Sequence, residues 1–104
     1  DYIHVVDLAE AHVSALSYTN ENYINDSVNI GTGVSISVKE VINTFQKSLN
    51  VVIKHKVSKR RLGDLPKYFS KTEKAYNLLN WKSSRSIVDM CKDSLKWQQT
   101  YTKL

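Results

Sequence analysis

The amino-acid sequence predicts an α/β fold of about four helices and two to three short strands. Apolar residues recur at helical spacing in four segments, two further segments have the composition of strands, and polar or glycine-containing stretches separate them. At 104 residues the chain is one domain or a piece of one. It does not begin with methionine, which suggests a fragment.

The first predicted helix covers Val5 to Ser17. Within it, Val6, Ala9, Val13 and Leu16 follow one another at spacings of three and four residues, which gives the helix one broad apolar face. An Asn-rich surface connection follows this helix.

Residues 27–30 predict a short strand that ends at Gly31-Thr32-Gly33. A glycine pair after a strand is a feature of dinucleotide-binding loops, but the third glycine of that motif is missing here. We therefore interpret the glycines as a tight turn that needs a permissive backbone.

Ser37 and Glu40 form a capping box that opens the second predicted helix. The apolar positions of this helix are Val38, Val41, Ile42, Phe45 and Leu49. Residues 51–57 then alternate as in a strand, with His55 on the inward face, and residues 58–69 predict an ordered basic loop.

Two more capping pairs precede the last two helices: Ser70 with Glu73, and Ser86 with Asp89. The third helix is expected to end at Leu79, with Asn80 in the left-handed conformation. On and beside these helices, Trp81, Trp97 and Cys91 are interpreted as packing residues.

Composition excludes several classes of function. A single cysteine can form neither an internal disulfide nor a zinc cluster, the histidines show no metal-ligand spacing, and no apolar run is long enough to span a bilayer. The chain is thus expected to be cytoplasmic, with no metal and no membrane partner. We found no catalytic pair either, neither a nucleophile with its base nor a Tyr-x-x-x-Lys pair.

Charge is distributed unevenly along the sequence. Residues 1–38 contain five acidic residues and no Lys or Arg, whereas five basic residues fall within residues 54–61. Such a run is often only a solvated face, but Arg61 and Asp64 flank Gly63. An arginine can grip a phosphate and a nearby carboxylate can accept ribose hydroxyls, so this loop favours a nucleotide diphosphate. Nucleic acid is disfavoured, because aromatic residues are not interleaved with the basic ones.

Five stretches resemble UDP-glucose 4-epimerases, in the order and approximate spacing of the C-terminal third of that family. They are DYIHVVDLA at 1–9, NIGTG at 29–33 with Ser37-Val38, RRLGD at 60–64, LNWK at 79–82, and MCKD at 90–93 with Trp97-Gln98. The resemblance covers nearly the whole chain. It implies the C-terminal substrate-binding portion of an extended short-chain dehydrogenase fold.

The resemblance also implies roles for five residues. By residue-level match, Arg61 binds the pyrophosphate and Asp64 accepts the uridine ribose hydroxyls. Tyr2 lies near the phosphates, Val38 contacts the uridine and Tyr68 walls the hexose pocket; ordinary packing is the alternative for the last two. A bulky residue at position 68 implies a preference for plain hexoses over N-acetylated sugars.

The function implied by the resemblance is the interconversion of UDP-glucose and UDP-galactose with bound NAD. The NAD-binding Rossmann domain and the catalytic residues of the family are absent from residues 1–104, so the chain alone is expected to be inactive. The full-length protein is expected to be a homodimer. Alternatives are another nucleotide-sugar epimerase or dehydratase, or a small basic module that binds RNA or protein.

Overall fold

The computed structural model describes residues 1–23 and 25–101. Four helices occur in these ranges: α1 Val5–Glu21, α2 Val38–Leu49, α3 Glu73–Leu79 and α4 Ile87–Tyr101. All four predicted helices are confirmed, and α1 extends one turn beyond its predicted end.

The two to three predicted strands do not form within the described ranges. Residues 27–30 and 51–57 have no regular secondary structure, because a strand needs a neighbouring strand to satisfy its backbone groups and none runs beside these segments. The alternating segment is largely exposed. His55 lies at the surface, so its predicted inward position is wrong.

The core lies where α1 meets α3. Ala11 of α1, Ala75 of α3 and Trp81 form a buried cluster, with partly buried Ile3, Val28, Ile30 and Leu79 packed against it. The predicted packing role of Trp81 is confirmed. A second contact joins α2 to α4.

The two candidate packing residues of helix α4 differ in burial. Cys91 is buried, as predicted. Trp97 is 69% exposed and stacks on Tyr101 with ring centroids 6.1 Å apart, so its predicted anchoring role is wrong within the described structure.

The capping predictions hold for two helices. The Glu40 amide donates to Ser37 Oγ over 3.2 Å, and the Ser37 amide donates to Glu40 Oε2 over 2.6 Å. The same reciprocal bonds join Ser86 and Asp89 at the start of α4, where the Ser86 hydroxyl and amide lower the pKa of Asp89.

The capping box predicted for α3 is wrong. This helix is preceded by Thr72, whose side chain makes no capping hydrogen bond, while the Ser70 amide donates to Asp1. Its other end agrees with the prediction, since Asn80 adopts the left-handed conformation with φ 47°.

A buried ion pair attaches α1 to the segment before α4. Asp7 is fully buried and accepts hydrogen bonds from the amides of Ser84 and Arg85, at 3.2 and 3.0 Å, and from the Ser84 hydroxyl and the Arg85 guanidinium. Arg85 also pairs with Glu10 at 3.0 Å. Burial opposes ionisation of Asp7, yet these bonds together hold its pKa below the ordinary value.

His4 makes the second attachment between α1 and α4. It is 3% exposed, and its Nδ1 accepts from the Val6 amide, which caps α1. Its Nε2 lies 2.9 Å from Asp93 Oδ2 on α4. This histidine is therefore a structural cap.

Candidate functional site

A cavity of about 500 Å³ opens where three segments meet: residues 1–2, residues 35–40 and residues 65–68. This volume is in the range of roughly 300–1,000 Å³ typical of small-molecule sites. Its walls combine apolar, hydroxyl and charged side chains, from Asp1, Tyr2, Ser35, Ile36, Ser37, Val38, Glu40, Leu65, Pro66, Lys67 and Tyr68.

Three of the five candidate binding residues line this cavity. Tyr2 comes from the segment before α1, Val38 from the first turn of α2 and Tyr68 from the long loop. They are 39%, 63% and 66% exposed, respectively, so each presents free surface to the cavity. The structure thus brings together residues that are up to 66 positions apart in the sequence.

The other two candidates, Arg61 and Asp64, are outside the cavity walls and lie earlier in the same loop. A turn joins them: the Asp64 amide donates to the Arg61 carbonyl, and Gly63 has φ +88°. Asp64 Oδ2 accepts from the Arg61 amide at 3.3 Å and from Arg61 Nε at 3.4 Å. The Arg61 side chain is 87% exposed, so most of its guanidinium remains available to an anion.

Asp1 has the densest set of contacts at the cavity. Its Oδ1 accepts from the Thr32 amide at 2.9 Å and from the Thr32 hydroxyl at 2.7 Å. Its Oδ2 accepts from the amides of Gly33 and Ser70, both at 3.0 Å. The Asp1 nitrogen donates to the Tyr68 carbonyl at 3.0 Å.

Sequence reasoning missed Asp1. It is one acidic residue among ten, and its hydrogen-bond partners lie 31 to 69 positions away. The available signal was its place at the head of the 1–9 stretch that carries the family resemblance, immediately before the candidate Tyr2.

The glycine loop is a tight turn, as predicted. Gly33 has φ +76°, and a side chain on Gly31 would place its Cβ 2.6 Å from Asp1 Oδ2. The Thr32 and Gly33 amides that could face a pyrophosphate are already bonded to Asp1. This loop therefore does not fit a dinucleotide.

The cavity wall carries more negative than positive side chains, so an anionic ligand needs additional cations. Asp1 and Glu40 contribute carboxylates and Lys67 contributes the one cationic side chain of the cavity wall. The backbone and hydroxyl of Ser37 hold the pKa of Glu40 below its ordinary value, so Glu40 is ionised and occupies the start of α2. A diphosphate therefore needs cations from outside the wall, and the Arg61 turn offers one.

A larger cavity, of about 600 Å³, lies between residues 3–5 and α4. Among the described residues, its lining is mostly apolar and offers no Lys or Arg side chain to a phosphate. None of the five candidate residues lines it. Of the two cavities, the smaller one fits a nucleotide sugar better.

Neither a metal centre nor a membrane span is found in the described residues. No group of three or more His, Cys, Asp or Glu residues there could hold a metal ion. Among the same residues, no helix has the length and apolarity needed to cross a bilayer.

Comparison with known proteins connects this chain to one class of enzyme. No family model matches it. A UDP-glucose 4-epimerase of Schizosaccharomyces pombe is 42% identical over 102 residues, which cover 97% of this chain and 29% of that protein. A UDP-glucose 4-epimerase of Bacillus subtilis is 40% identical over 96% of this chain and 30% of that protein.

A solved structure gives the deciding observation. The crystal structure of UDP-glucose 4-epimerase from Bifidobacterium longum, in complex with NAD+ and UDP, superposes with a TM-score of 0.83 and 38% identity. The match covers 96% of this chain and 30% of the solved chain. This chain matches the C-terminal portion of UDP-glucose 4-epimerases. The chain spans about 30% of the length of the relatives it matches, and its predicted fold class, that of their C-terminal portion, is confirmed.

Proposed function

We propose that this chain is the UDP-sugar-binding portion of an NAD-dependent enzyme that interconverts UDP-glucose and UDP-galactose. The observation that carries the proposal is the convergence of Tyr2, Val38 and Tyr68 on one cavity, whose wall includes Leu65, the residue that follows the Arg61–Asp64 turn. Similarity to UDP-glucose 4-epimerases over 93% or more of the chain supports the same function.

The chain's part in this reaction is to hold the nucleotide end of the substrate. Epimerisation at the hexose 4-position requires the sugar to present first one face and then the other, so it cannot be gripped tightly. The binding energy must then come from groups that do not react. Arg61 would hold the diphosphate, Asp64 the ribose hydroxyls and Val38 one face of the uracil, with Tyr2 beside the phosphates.

NAD would supply hydride removal and return at the hexose. The glycine loop of the described residues does not fit it, since the Thr32 and Gly33 amides are occupied by Asp1. We therefore assign NAD binding to a Rossmann domain in the part of the full-length protein outside residues 1–104. The catalytic residues are assigned to the same domain, so the 104 residues alone would be inactive.

Tyr68 would set the choice of sugar. Its ring lines the cavity and is 66% exposed, and its backbone is fixed by the bond from Asp1 to its carbonyl. The resemblance to UDP-glucose 4-epimerases implies that a bulky side chain at this position goes with poor acceptance of N-acetylated sugars. Preference for UDP-glucose and UDP-galactose over their N-acetylated counterparts is the expected result of a substrate comparison.

The test of the site is Arg61→Ala in the full-length protein, with Arg60→Ala as the matched control. Arg60 has the same charge and the same loop, but no candidate role. Loss of a charge-assisted contact of about 1.5–3 kcal/mol corresponds to UDP binding about tenfold to a hundredfold weaker. Calorimetric titration with UDP measures this change. Equal affinities for wild type and Arg61→Ala would refute the assignment, as would equal losses in the two variants.

We further propose that the full-length protein is a cytoplasmic homodimer. Light scattering of the purified protein tests the dimer, and fractionation of cells tests the location. A monomeric mass would overturn the first statement, and recovery with membranes the second.

A further inference from the structure

We infer that Asp1 is a positioning residue that assembles the UDP-sugar site without contacting the nucleotide through its carboxylate. This inference rests on the function proposed above. Both oxygens of the Asp1 carboxylate are already engaged, each with two donors from distant segments. A carboxylate in that state is a scaffold for its neighbours and has little capacity left for a ligand.

The bonds of Asp1 reach the long-loop wall of the cavity directly and approach the α2 wall through Thr32. Tyr2 is its neighbour in sequence, so the direction in which the Tyr2 ring leaves the backbone follows from where Asp1 is held. The Asp1 nitrogen bonds the Tyr68 carbonyl, and Oδ2 bonds the Ser70 amide, so the end of the long loop is held on both sides of Phe69.

The third wall is reached through Thr32. The Thr32 hydroxyl donates to Asp1 Oδ1 and accepts from the Val34 amide at 3.2 Å. This chain of bonds leads into residues 35–38, which form the cavity wall up to the first turn of α2. Val38, in that wall, lines the same cavity as Tyr68.

Space around Asp1 is as restricted as its bonding. A Cβ on Gly31 would lie 2.6 Å from Asp1 Oδ2 and 2.7 Å from Ser70 Oγ. The glycine therefore admits the carboxylate between the two segments that it joins. This explains why a glycine stands at position 31 although its backbone does not have a positive φ.

Asp1→Asn in the full-length protein tests the inference. The carbonyl oxygen of the asparagine can keep the bonds of only one carboxylate oxygen, for example those from the Gly33 and Ser70 amides. Its NH2 group then faces the Thr32 amide, and both of these groups are donors. We expect UDP to bind about tenfold more weakly, equivalent to about 1.4 kcal/mol. The KM for UDP-glucose is expected to rise similarly, with a smaller change in kcat, because the chain holds the non-reacting end of the substrate.

Asp7→Asn is the matched control. Asp7 also accepts four hydrogen bonds, two of them from backbone amides, but it lies away from the cavity. It is expected to lower the melting temperature and leave UDP affinity unchanged. Loss of UDP affinity in Asp1→Asn alone supports the inference, whereas unchanged affinity in Asp1→Asn or equal losses in both variants overturns it.

A second variant and the UDP binding of the wild-type protein give two further tests. If Asp1→Asn does not fold, Thr32→Val decides, because it removes only the hydroxyl of this network; about threefold weaker UDP binding supports the inference and wild-type affinity overturns it. If the wild-type protein itself binds no UDP, the proposed function is wrong, and the inference falls with it. A wild type that binds UDP beside an unaffected Asp1→Asn variant overturns the positioning role alone.

Discussion

Asp7→Asn should destabilise the fold, because it replaces a fully buried carboxylate by an amide. The best arrangement of the asparagine keeps the bonds from the Ser84 and Arg85 amides on its carbonyl oxygen. Its NH2 group then faces the Ser84 hydroxyl, which can accept, and the Arg85 guanidinium, which cannot. Loss of this charge-assisted bond at a fully buried position, together with the new contact between donors, should lower the free energy of unfolding by about 3 kcal/mol.

The dependence on pH gives a second signature of the same substitution. Because the folded-state pKa of Asp7 is lowered from 3.8, its contribution to stability is fully present above that value and is lost as the pH falls through the folded pKa. The difference in stability between wild type and Asp7→Asn should therefore be constant from neutral pH down to about pH 5 and shrink below 3.8.

Urea denaturation of the full-length protein at a series of pH values measures both effects. Asp26→Asn serves as the control, since Asp26 pairs with Lys74 at the surface and should affect stability far less. An Asp7→Asn variant within about 0.5 kcal/mol of wild type would contradict the argument, since changes of that size are usual for ordinary surface substitutions. So would a difference that keeps its full size in acid.

Two further predictions concern α2 and α4. Ser37→Ala removes one half of the capping box of α2 and should lower the free energy of unfolding by about 1 kcal/mol. Ser48→Ala, on the exposed side of the same helix, is its control. Equal effects of the two substitutions in urea denaturation would contradict the role of the cap. Cys91 is 2% exposed and burial raises the pKa of its thiol, so alkylation followed by peptide mass spectrometry should find it unmodified in the folded protein at pH 7 and modified in urea. Rapid modification without denaturant would show that α4 opens readily.

The helices could be predicted from the sequence because their signals are local. Apolar spacing and the Ser37 and Ser86 capping pairs depend on residues within one or two turns. The strands could not be settled in this way, since a strand depends on a neighbour that its own residues do not specify. Ser70 shows the same limit: its spacing to Glu73 suits a cap, but its backbone is recruited by Asp1.

The site was predictable in part. Tyr2, Val38 and Tyr68 were named from the resemblance, and the structure places them on one cavity, although their roles toward UDP remain predictions. Asp1 was missed because a lone carboxylate has no periodicity and no motif of its own. Its importance is visible only when residues 32, 33 and 70 are folded around it.

The segment before and into α1 also bears on the order of folding. Residues 1–7 bond to partners that lie 31, 69, 78 and 89 positions further along the chain. Closing loops of that length costs conformational entropy before the stabilising contacts have formed. These bonds therefore belong to the late steps of folding. On the ribosome, the binding site can mature only after residue 70 has emerged, and α1 gains its last attachment only when residue 93 has.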